Sequence, residues 1–363
     1  MEHPRQVTAI GAAMVITSTI IGVGVLPLPR FASEAADAGG PLVTLAGTVP
    51  AFVGLWLITA LGQRFPEKSI FLYSEDIIGK WPGRLGSALL ILFFAALSAL
   101  TAREFGEVVV TAVLKKTPLE VTVIVMLLLA AISSRNDVVT FSYLHQFYLP
   151  FILAPGLLIA VYSLKNAEPL YLLPIWGNEP KAFGEGMLTI ASLFQVSFIM
   201  SLLIPSMSRP WKAMRAGLSG MAIAAGFYLL IVIATIAVFG PEETKKTLWP
   251  TLELARMTSL PANVLERLDA IFLIIWVTAV FTTLLSSYYL TIHAISNLLR
   301  LRDHKMFTFF LLPFVFMLSM CIPNVLDLYA IIRLVGKTGL ILTVIYPLLL
   351  FTTAWIRKRR EAS

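Results

Sequence analysis

The sequence predicts an all-α integral membrane protein of about ten transmembrane helices, and three observations carry this prediction. First, 58% of the 363 residues are apolar and 13% are charged, whereas soluble domains carry about 25% charged residues. Second, the apolar residues gather in stretches close to the roughly 20 residues that a membrane-spanning helix needs. Third, mostly short polar connections separate these stretches, so we expect a single membrane domain over residues 1–363.

Ten apolar stretches account for the predicted spans, and the fourth and ninth of them are short. The stretches are about 8–27, 42–61, 85–113, 119–133, 138–164, 187–207, 213–239, 265–299, 307–322 and 326–356. The longer connections 166–183 and 240–264 have room for helices at the membrane surface. The single cysteine, Cys321, excludes an intrachain disulfide.

Lysine and arginine are distributed unevenly between the two sets of connections. If the N-terminus is cytoplasmic, the inside segments hold sixteen of these cations and the outside segments hold eight. Cytoplasmic segments of membrane proteins collect Lys and Arg, so both termini are predicted to be cytoplasmic. The same rule explains the net charge of +7 without a nucleic-acid partner, and none is expected.

Glycine and proline interrupt the first predicted span, where Gly22 and Gly24 are followed by Pro27 and Pro29. Glycine weakens a helix and proline removes an amide donor, so the pattern predicts a helix that unwinds within the membrane. Irregular backbone at that depth is tolerated where it is buried or lines a cavity. Close packing of helices at small residues is the alternative explanation for the two glycines.

The sixth predicted span is expected to be broken in the same way. It opens with Phe-Gly-Glu-Gly at 183–186 and carries Ser192, Gln195 and Ser197 in an apolar frame. Broken first and sixth helices among ten spans fit a five-plus-five inverted repeat, a common plan for transporters. We predict the two repeats at residues 6–164 and 183–357.

Several stretches of the sequence match a known family. They are IIGVGVLPLP in the first span, YSEDIIGKWPGRL after the second, LYLLPIWG after the fifth, and TLWPTLELARMTSLPANVLERLDAIFLIIWV leading into the eighth. With these stretches the chain resembles the B subunit of the spore nutrient germinant receptors, the GerAB type, within the amino acid–polyamine–organocation superfamily. General amino acid permeases share the glycine motif of the first span.

The resemblance implies a germinant-sensing subunit with a small-molecule pocket between the first, third, sixth and eighth helices. It also implies a complex with an A subunit and a C lipoprotein in the inner membrane of the spore. The expected ligand is a small-molecule germinant, with an amino acid favoured, and no cofactor is expected. A proton-coupled secondary amino acid transporter on the same scaffold is the alternative function.

An amino acid in such a pocket needs donors for its carboxylate and acceptors for its ammonium group. An unwound helix offers free amides and free carbonyls, and glycines let the backbone approach a ligand closely. Gly22, Val23, Gly24 and Val25 are therefore the predicted ligand-binding residues of the first span.

The family's pocket, carried over to the sixth span, adds Ser192, Phe194 and Gln195. Each has a structural alternative: a bond to a carbonyl one turn earlier for Ser192, core packing for Phe194, and a bond between helices for Gln195. A pocket lined by Val23, Val25 and Leu193 would favour a ligand with a small apolar side chain.

Charged residues inside a membrane are costly and usually functional. We predict a network that closes the outer side of the pocket, in which Glu107 pairs with the two cations of the tenth span. Ion pairs that only hold the helices together are the alternative. The residues of this network are Glu104, Glu107, Arg267, Asp269, Arg333 and Lys337.

His145 in the fifth span is a candidate proton site, because histidine changes charge near neutral pH. A neutral histidine bonded to a neighbouring carbonyl is the alternative. The other histidines, His3, His293 and His304, are scattered along the sequence without a metal-ligand spacing, so no metal site is expected. The sequence contains no paired carboxylates or nucleophile–base pattern at useful spacing, and catalysis is not expected.

Overall fold

The computed structural model describes residues 6–176, 180–258, 268–301 and 303–361, and these residues are almost entirely helical. Within these ranges the one strand-like contact is an isolated bridge between Val7 and Met207. The α-helices are α1 (Ala9–Ile20), α2 (Leu28–Ala36), α3 (Gly40–Arg64), α4 (Ile70–Ile78), α5 (Lys80–Ala112), α6 (Leu119–Ser133), α7 (Val138–Ser163), α8 (Pro180–Ser192), α9 (Met200–Leu203), α10 (Ala213–Lys246), α11 (Pro250–Met257), α12 (Leu268–Leu298), α13 (Met306–Met320), α14 (Val325–Leu340) and α15 (Tyr346–Glu361).

Each of the ten predicted spans contains a helix. Six helical segments are long and apolar enough to cross a membrane, and the bent pair Ala182–Ser192 and Gln195–Ser206 makes a seventh. Three shorter apolar helices, α1, α6 and α13, coincide with the first, fourth and ninth predicted spans. The expected helix in the connection after the seventh span is α11.

Large apolar side chains cover the outside of the bundle. Leu92, Phe147 and Phe310 lie on three different helices and are 67%, 63% and 60% exposed. Water-soluble proteins rarely expose so much contiguous apolar surface. The described helices therefore belong to a multi-pass membrane protein, as the composition predicts.

Side chains and one glycine define where several helices begin and bend. Thr8 accepts a hydrogen bond from the Gly11 amide at the start of α1, and Asp137 accepts one from the Thr140 amide at the start of α7. These bonds satisfy amides that the first turn leaves unpaired. Gly240, with φ of +74°, bends α10 because glycine readily adopts the left-handed region.

Both predicted breaks are present. Residues 21–27 separate α1 from α2 and contain a single tight turn at Val23–Val25. In the sixth span, α8 ends at Ser192 and the following helical segment is bent away from it by 41°. The all-α membrane fold with broken first and sixth helices is confirmed, while the repeat boundaries 6–164 and 183–357 stay a prediction.

Candidate ligand-binding site

Hydroxyl groups of α12 satisfy the backbone carbonyls at the end of α1. Thr282 donates to the carbonyl of Ser18 and Thr283 donates to the carbonyl of Thr19, both across 2.9 Å. A buried carbonyl without a partner is costly, so these bonds stabilise the helix end. They also hold α1 against α12.

Two further hydroxyls satisfy carbonyls at the end of α1 and within the first break. Tyr228 of α10 donates to the carbonyl of Ile20 across 2.6 Å, and Thr251 of α11 donates to the carbonyl of Val25 across 2.7 Å. The protein itself therefore occupies most of the acceptors that the break releases. By contrast, the backbone amides of Val23 and Gly24 donate no hydrogen bond to any described residue.

A small cavity lies beside the first break, and we call it the central cavity. Its volume is about 60 Å³, and its walls come from both broken helices and from α5, α10, α12 and α14. Sites for drug-sized ligands have roughly 300–1,000 Å³, so this cavity suits a much smaller molecule. Val23, Gly24, Ser192 and Gln195 are the predicted ligand-binding residues that line it.

The two glycines of the first break have different environments. A Cβ atom on Gly22 would collide with the hydroxyl of Thr283, so Gly22 is needed for the close approach of α12. A Cβ atom on Gly24 would lie 2.9 Å from Cδ2 of Leu193, the end of a side chain in the cavity wall. Helix packing thus explains Gly22, whereas Gly24 faces the cavity.

Ser192 and Gln195 bring the sixth span to the central cavity. The hydroxyl of Ser192 donates to the carbonyl of Thr189 across 2.6 Å. This is the bond to a carbonyl one turn earlier that was the structural alternative for Ser192. Nε2 of Gln195 donates to the carbonyl of Gly336 across 2.7 Å. Oε1 of Gln195 is buried and has no partner among the described residues, so one acceptor remains free there.

Val25 and Phe194 lie away from the central cavity. Val25 lines a different, smaller gap between α7, α10 and α12. The ring of Phe194 is 1% exposed and packs edge-on against Tyr228, with 5.4 Å between the ring centres. Phe194 is therefore the core residue that its alternative described, and ligand contact by either residue stays a prediction.

Glu104 is predicted to belong to the outer network, and in the structure it lines the central cavity. Its side chain is buried, and Oε1 accepts a hydrogen bond from the hydroxyl of Tyr329 across 3.2 Å. Nε1 of Trp249 donates in turn to the Tyr329 oxygen across 2.6 Å. No sequence pattern connects these three residues, because they come from α5, α14 and the connection before α11.

Glu107 pairs within its own helix. Nη2 of Arg103 lies 2.7 Å from Oε1 of Glu107, and Nε of the same guanidinium lies 3.0 Å away. The predicted pairing of Glu107 with Arg333 and Lys337 is wrong, because a cation four residues earlier satisfies this carboxylate. The i, i+4 spacing on one helix face was the signal for the true partner.

The two cations of the tenth span do lie at a cavity, together with acids that the sequence analysis missed. Arg333 pairs with Glu34 of α2 across 2.9 Å, and Lys337 pairs with Glu185 of α8 across 3.2 Å. These pairs line a vestibule of about 400 Å³ between α2, α8 and α14. Phe31 lines both the vestibule and the central cavity, so the two spaces are neighbours at this residue.

The structure does not test the predicted roles of the two remaining network residues. Arg267 lies outside the described residues. Asp269 belongs to the first turn of α12. Their part in closing the pocket stays a prediction.

His145 lies behind the first break and makes no contact with the central cavity. It is fully buried, and its ring packs against Phe141 with 4.4 Å between the ring centres. Its nitrogens bond to serine hydroxyls instead of the backbone carbonyl that its alternative proposed. Among the described residues no group of three or more His, Cys, Asp or Glu could hold a metal ion.

Three of the four histidines nevertheless belong to one column of rings. Phe141 stacks on Tyr289 at 4.5 Å, Tyr289 contacts His293 at 4.0 Å, and His293 contacts His304 at 4.1 Å between ring centres. With the contact between Phe141 and His145, the column runs from α7 along α12 to the connection before α13. Sequence separation concealed this arrangement, because it depends on the packing of three elements.

The broken helices, the cavity between them and the apolar outer surface define a membrane protein of transporter-like fold. The crystal structure of MhsT in complex with L-phenylalanine has this fold. It matches with a TM-score of 0.68 over 92% of this chain and 87% of MhsT, at 11% sequence identity. At so low an identity the likeness shows the fold alone, because one fold serves many functions.

The chain belongs to the family described as "Spore germination protein", which residues 6–327 match. The resemblance found in the sequence is thereby confirmed. Spore germination protein YndE of Bacillus subtilis (strain 168) is 29% identical over 358 residues, 98% of each chain. Spore germination protein B2 of the same strain is 25% identical over 99% of this chain and 97% of its own. Spore germination protein GerLB of Bacillus cereus is 24% identical over 86% of this chain and 84% of its own.

Proposed function

We propose that this protein is the ligand-sensing B-type subunit of a spore germination receptor and that it binds a small amino acid in the central cavity. The observation that carries the proposal is the position of that cavity at both helix breaks. Among the described residues, the amides of Val23 and Gly24 have no hydrogen-bond partner, and both residues line the cavity. A ligand's carboxylate would accept hydrogen bonds from them, as unwound membrane helices allow.

The walls of the central cavity favour a ligand with a small apolar side chain. Val23, Leu97, Leu193 and Ile332 are among the lining residues, and apolar surface on a ligand is stabilised by contact with such side chains. The small volume excludes a bulky ligand without rearrangement. Alanine and valine are the first candidates.

The family and the charge distribution support the cellular setting of this proposal. The receptor would combine this subunit with an A subunit and a C lipoprotein in the spore inner membrane. Both termini would be cytoplasmic, because the connections on their side carry the larger share of Lys and Arg.

The proposal is tested by measuring thermal stabilisation of the purified protein in lipid nanodiscs by amino acids, sugars and nucleosides. A ligand that binds the folded state raises the melting temperature, and we expect L-alanine or L-valine to do so. Gly24→Leu, which fills the cavity, should abolish the shift and the germination response of spores that carry it.

Gly226→Leu is the matched control for the cavity-filling variant. Gly226 lies in α10, and a Cβ atom there would meet open space. The same substitution should therefore leave ligand binding and germination unchanged. Wild-type sensitivity in the Gly24→Leu variant would contradict the proposal.

The position of His145 favours a second candidate function, a proton-coupled amino acid transporter. The histidine bonds to hydroxyls of both α1 and α12, so a change of its charge would act on two helices of the site. Uptake of labelled L-alanine into proteoliposomes under a proton gradient separates the two functions. Accumulation would indicate a transporter, and binding without accumulation would indicate a sensor.

A further inference from the structure

The central cavity contains an acid without a cationic partner. Glu104 is 3% exposed, and its only hydrogen-bond partner among the described residues is the hydroxyl of Tyr329 on Oε1. Oε2 has none. The ion pairs of the described part of the chain do not include Glu104.

The nearby cations are already engaged. Arg103, the neighbour of Glu104 in the chain, pairs with Glu107. Arg333, at the vestibule, pairs with Glu34. A buried carboxylate that lacks a counter-charge is costly, and an ionisable residue inside a membrane bundle marks a site for a partner.

We propose that Glu104 is the counter-ion for the amino group of the ligand, so that the central cavity selects small molecules that carry an amine. This inference rests on the proposed function, because it assigns the chemistry of the same site. Hydroxyls of Thr282, Thr283, Tyr228 and Thr251 already occupy four of the carbonyls around the break, which leaves fewer backbone acceptors for an ammonium group. Oε1 of Gln195, which has no partner among the described residues, and the carboxylate of Glu104 are acceptors in the cavity wall, and Glu104 is the acidic residue that lines the cavity.

The two ends of the site are complementary to the two charges of an amino acid. The amides of Val23 and Gly24 take the carboxylate, and Glu104 takes the ammonium group. Tyr329 is a positioning residue, because its hydroxyl receives a bond from Trp249 and donates one to Glu104. A sugar or nucleoside carries no ammonium group to neutralise the buried charge of Glu104 and should bind more weakly for that reason.

The first arm of the test changes the ligand and leaves the protein intact. Thermal shift and calorimetric titration of the full-length protein in nanodiscs compare L-alanine with propionate, which lacks the amine, and with ethylamine, which lacks the carboxylate. L-valine is compared in the same way with 3-methylbutanoate and 2-methylpropan-1-amine. Removal of the amine should weaken binding about 10- to 100-fold, the range for a lost charged hydrogen bond.

The second arm changes the protein. Glu104→Gln should weaken binding of L-alanine by a similar factor and leave binding of propionate nearly unchanged, while Glu104→Asp should retain part of the affinity. The double variant Arg103→Gln/Glu107→Gln removes the neighbouring ion pair and should bind L-alanine like the wild type. Melting temperatures without ligand identify any variant that fails to fold, and the ligand arm is independent of that outcome.

The outcomes separate this inference from the proposed function. The inference is overturned if Glu104→Gln binds L-alanine with wild-type affinity, or if it loses L-alanine and propionate equally. Binding of sugars or nucleosides in preference to amines would overturn it while leaving a small-molecule sensor in place. Absence of binding by every probe to the wild-type protein would overturn both.

Discussion

Nδ1 of His145 lies 2.6 Å from the hydroxyl oxygen of Ser18, directly behind the break of the first helix. Nε2 of the same ring lies 3.3 Å from the hydroxyl oxygen of Ser286 on α12. The imidazole therefore joins α7 to both helices that support the unwound backbone. It does so without facing the central cavity, and this favours a structural role over ligand contact.

The substitution His145→Gln tests that role. The glutamine amide can still bond to one serine hydroxyl but cannot titrate, so we expect a loss of about 1 kcal/mol of stability. The dependence of L-alanine binding on pH between about 5 and 8, where histidine usually titrates, should stay the same. Proton-driven accumulation of L-alanine by the parent protein that disappears in His145→Gln would contradict this prediction.

Alanine substitutions at the two glycines of the first break should have different effects on stability and on ligand affinity. Gly22→Ala places a methyl group against the hydroxyl of Thr283, and we expect it to destabilise the protein by about 1–3 kcal/mol, as overpacking does. Gly24→Ala meets the flexible end of Leu193, so folding should be preserved while affinity for L-alanine falls. Melting curves and binding titrations of both variants check the difference, and equal melting temperatures would contradict it.

The ion pair between Arg333 and Glu34 should contribute little to stability. Its side chains are 39% and 30% exposed, and exposed pairs are worth about 0.2–1 kcal/mol. A double-mutant cycle with Arg333→Gln and Glu34→Gln should give a coupling energy in that range that shrinks as salt is added. The cycle of Arg333→Gln with Glu107→Gln is the control and should show no coupling. A coupling above about 2 kcal/mol for the first pair would refute the prediction.

His304, in the connection before α13, should make the stability of the protein depend on pH. Burial lowers the pKa of His304 below its usual value, although bonds to backbone carbonyls and the nearby Asp303 act in the opposite direction. The unfolded chain then binds a proton more readily than the folded one. The contribution of His304 to the free energy of unfolding is therefore fully present above about pH 6.5, the usual pKa of histidine. It is lost as the pH falls towards the lower pKa of the folded state.

His304→Gln should flatten this dependence. We expect the melting temperature of the wild-type protein to fall more steeply than that of His304→Gln as the pH is lowered from about 7 to 5. Lys305→Gln serves as the control, because it changes the adjacent charge and keeps the ring. Parallel curves for the wild type and His304→Gln would show that this histidine does not titrate between the two states.

The spans and the breaks were predictable because they depend on local properties. Hydropathy over about 20 residues sets the position of a span, and Gly22, Gly24 and Pro27 disturb the helix that contains them. The partners of charged groups depend instead on how helices are rotated and packed. An α-helix turns about 100° per residue, so Arg103 and Glu107 share a face while Glu104 points into the cavity.

The partners of Arg333 and Lys337 show the same limit. Glu34 and Glu185 come from α2 and α8, which are remote in the sequence and meet α14 only at the vestibule. No spacing rule within one helix connects such residues. Arg333 and Lys337 line the vestibule, but the identity of their acids depends on the arrangement of three helices, and their part in closing the pocket stays a prediction.

Two hydrogen bonds connect the short helix α11 and the residue before it to the surroundings of the central cavity. The hydroxyl of Thr251 donates one, and the indole of Trp249 donates the other. Thr251 is bonded to the carbonyl of Val25 in the first break, and Trp249, which precedes α11, is bonded to Tyr329, the partner of Glu104. A movement of the backbone at Val25 and a movement of the Tyr329 side chain would therefore both reach the same short helix. α11 links the unwound backbone of the first break to the buried acid of the central cavity through three hydrogen bonds.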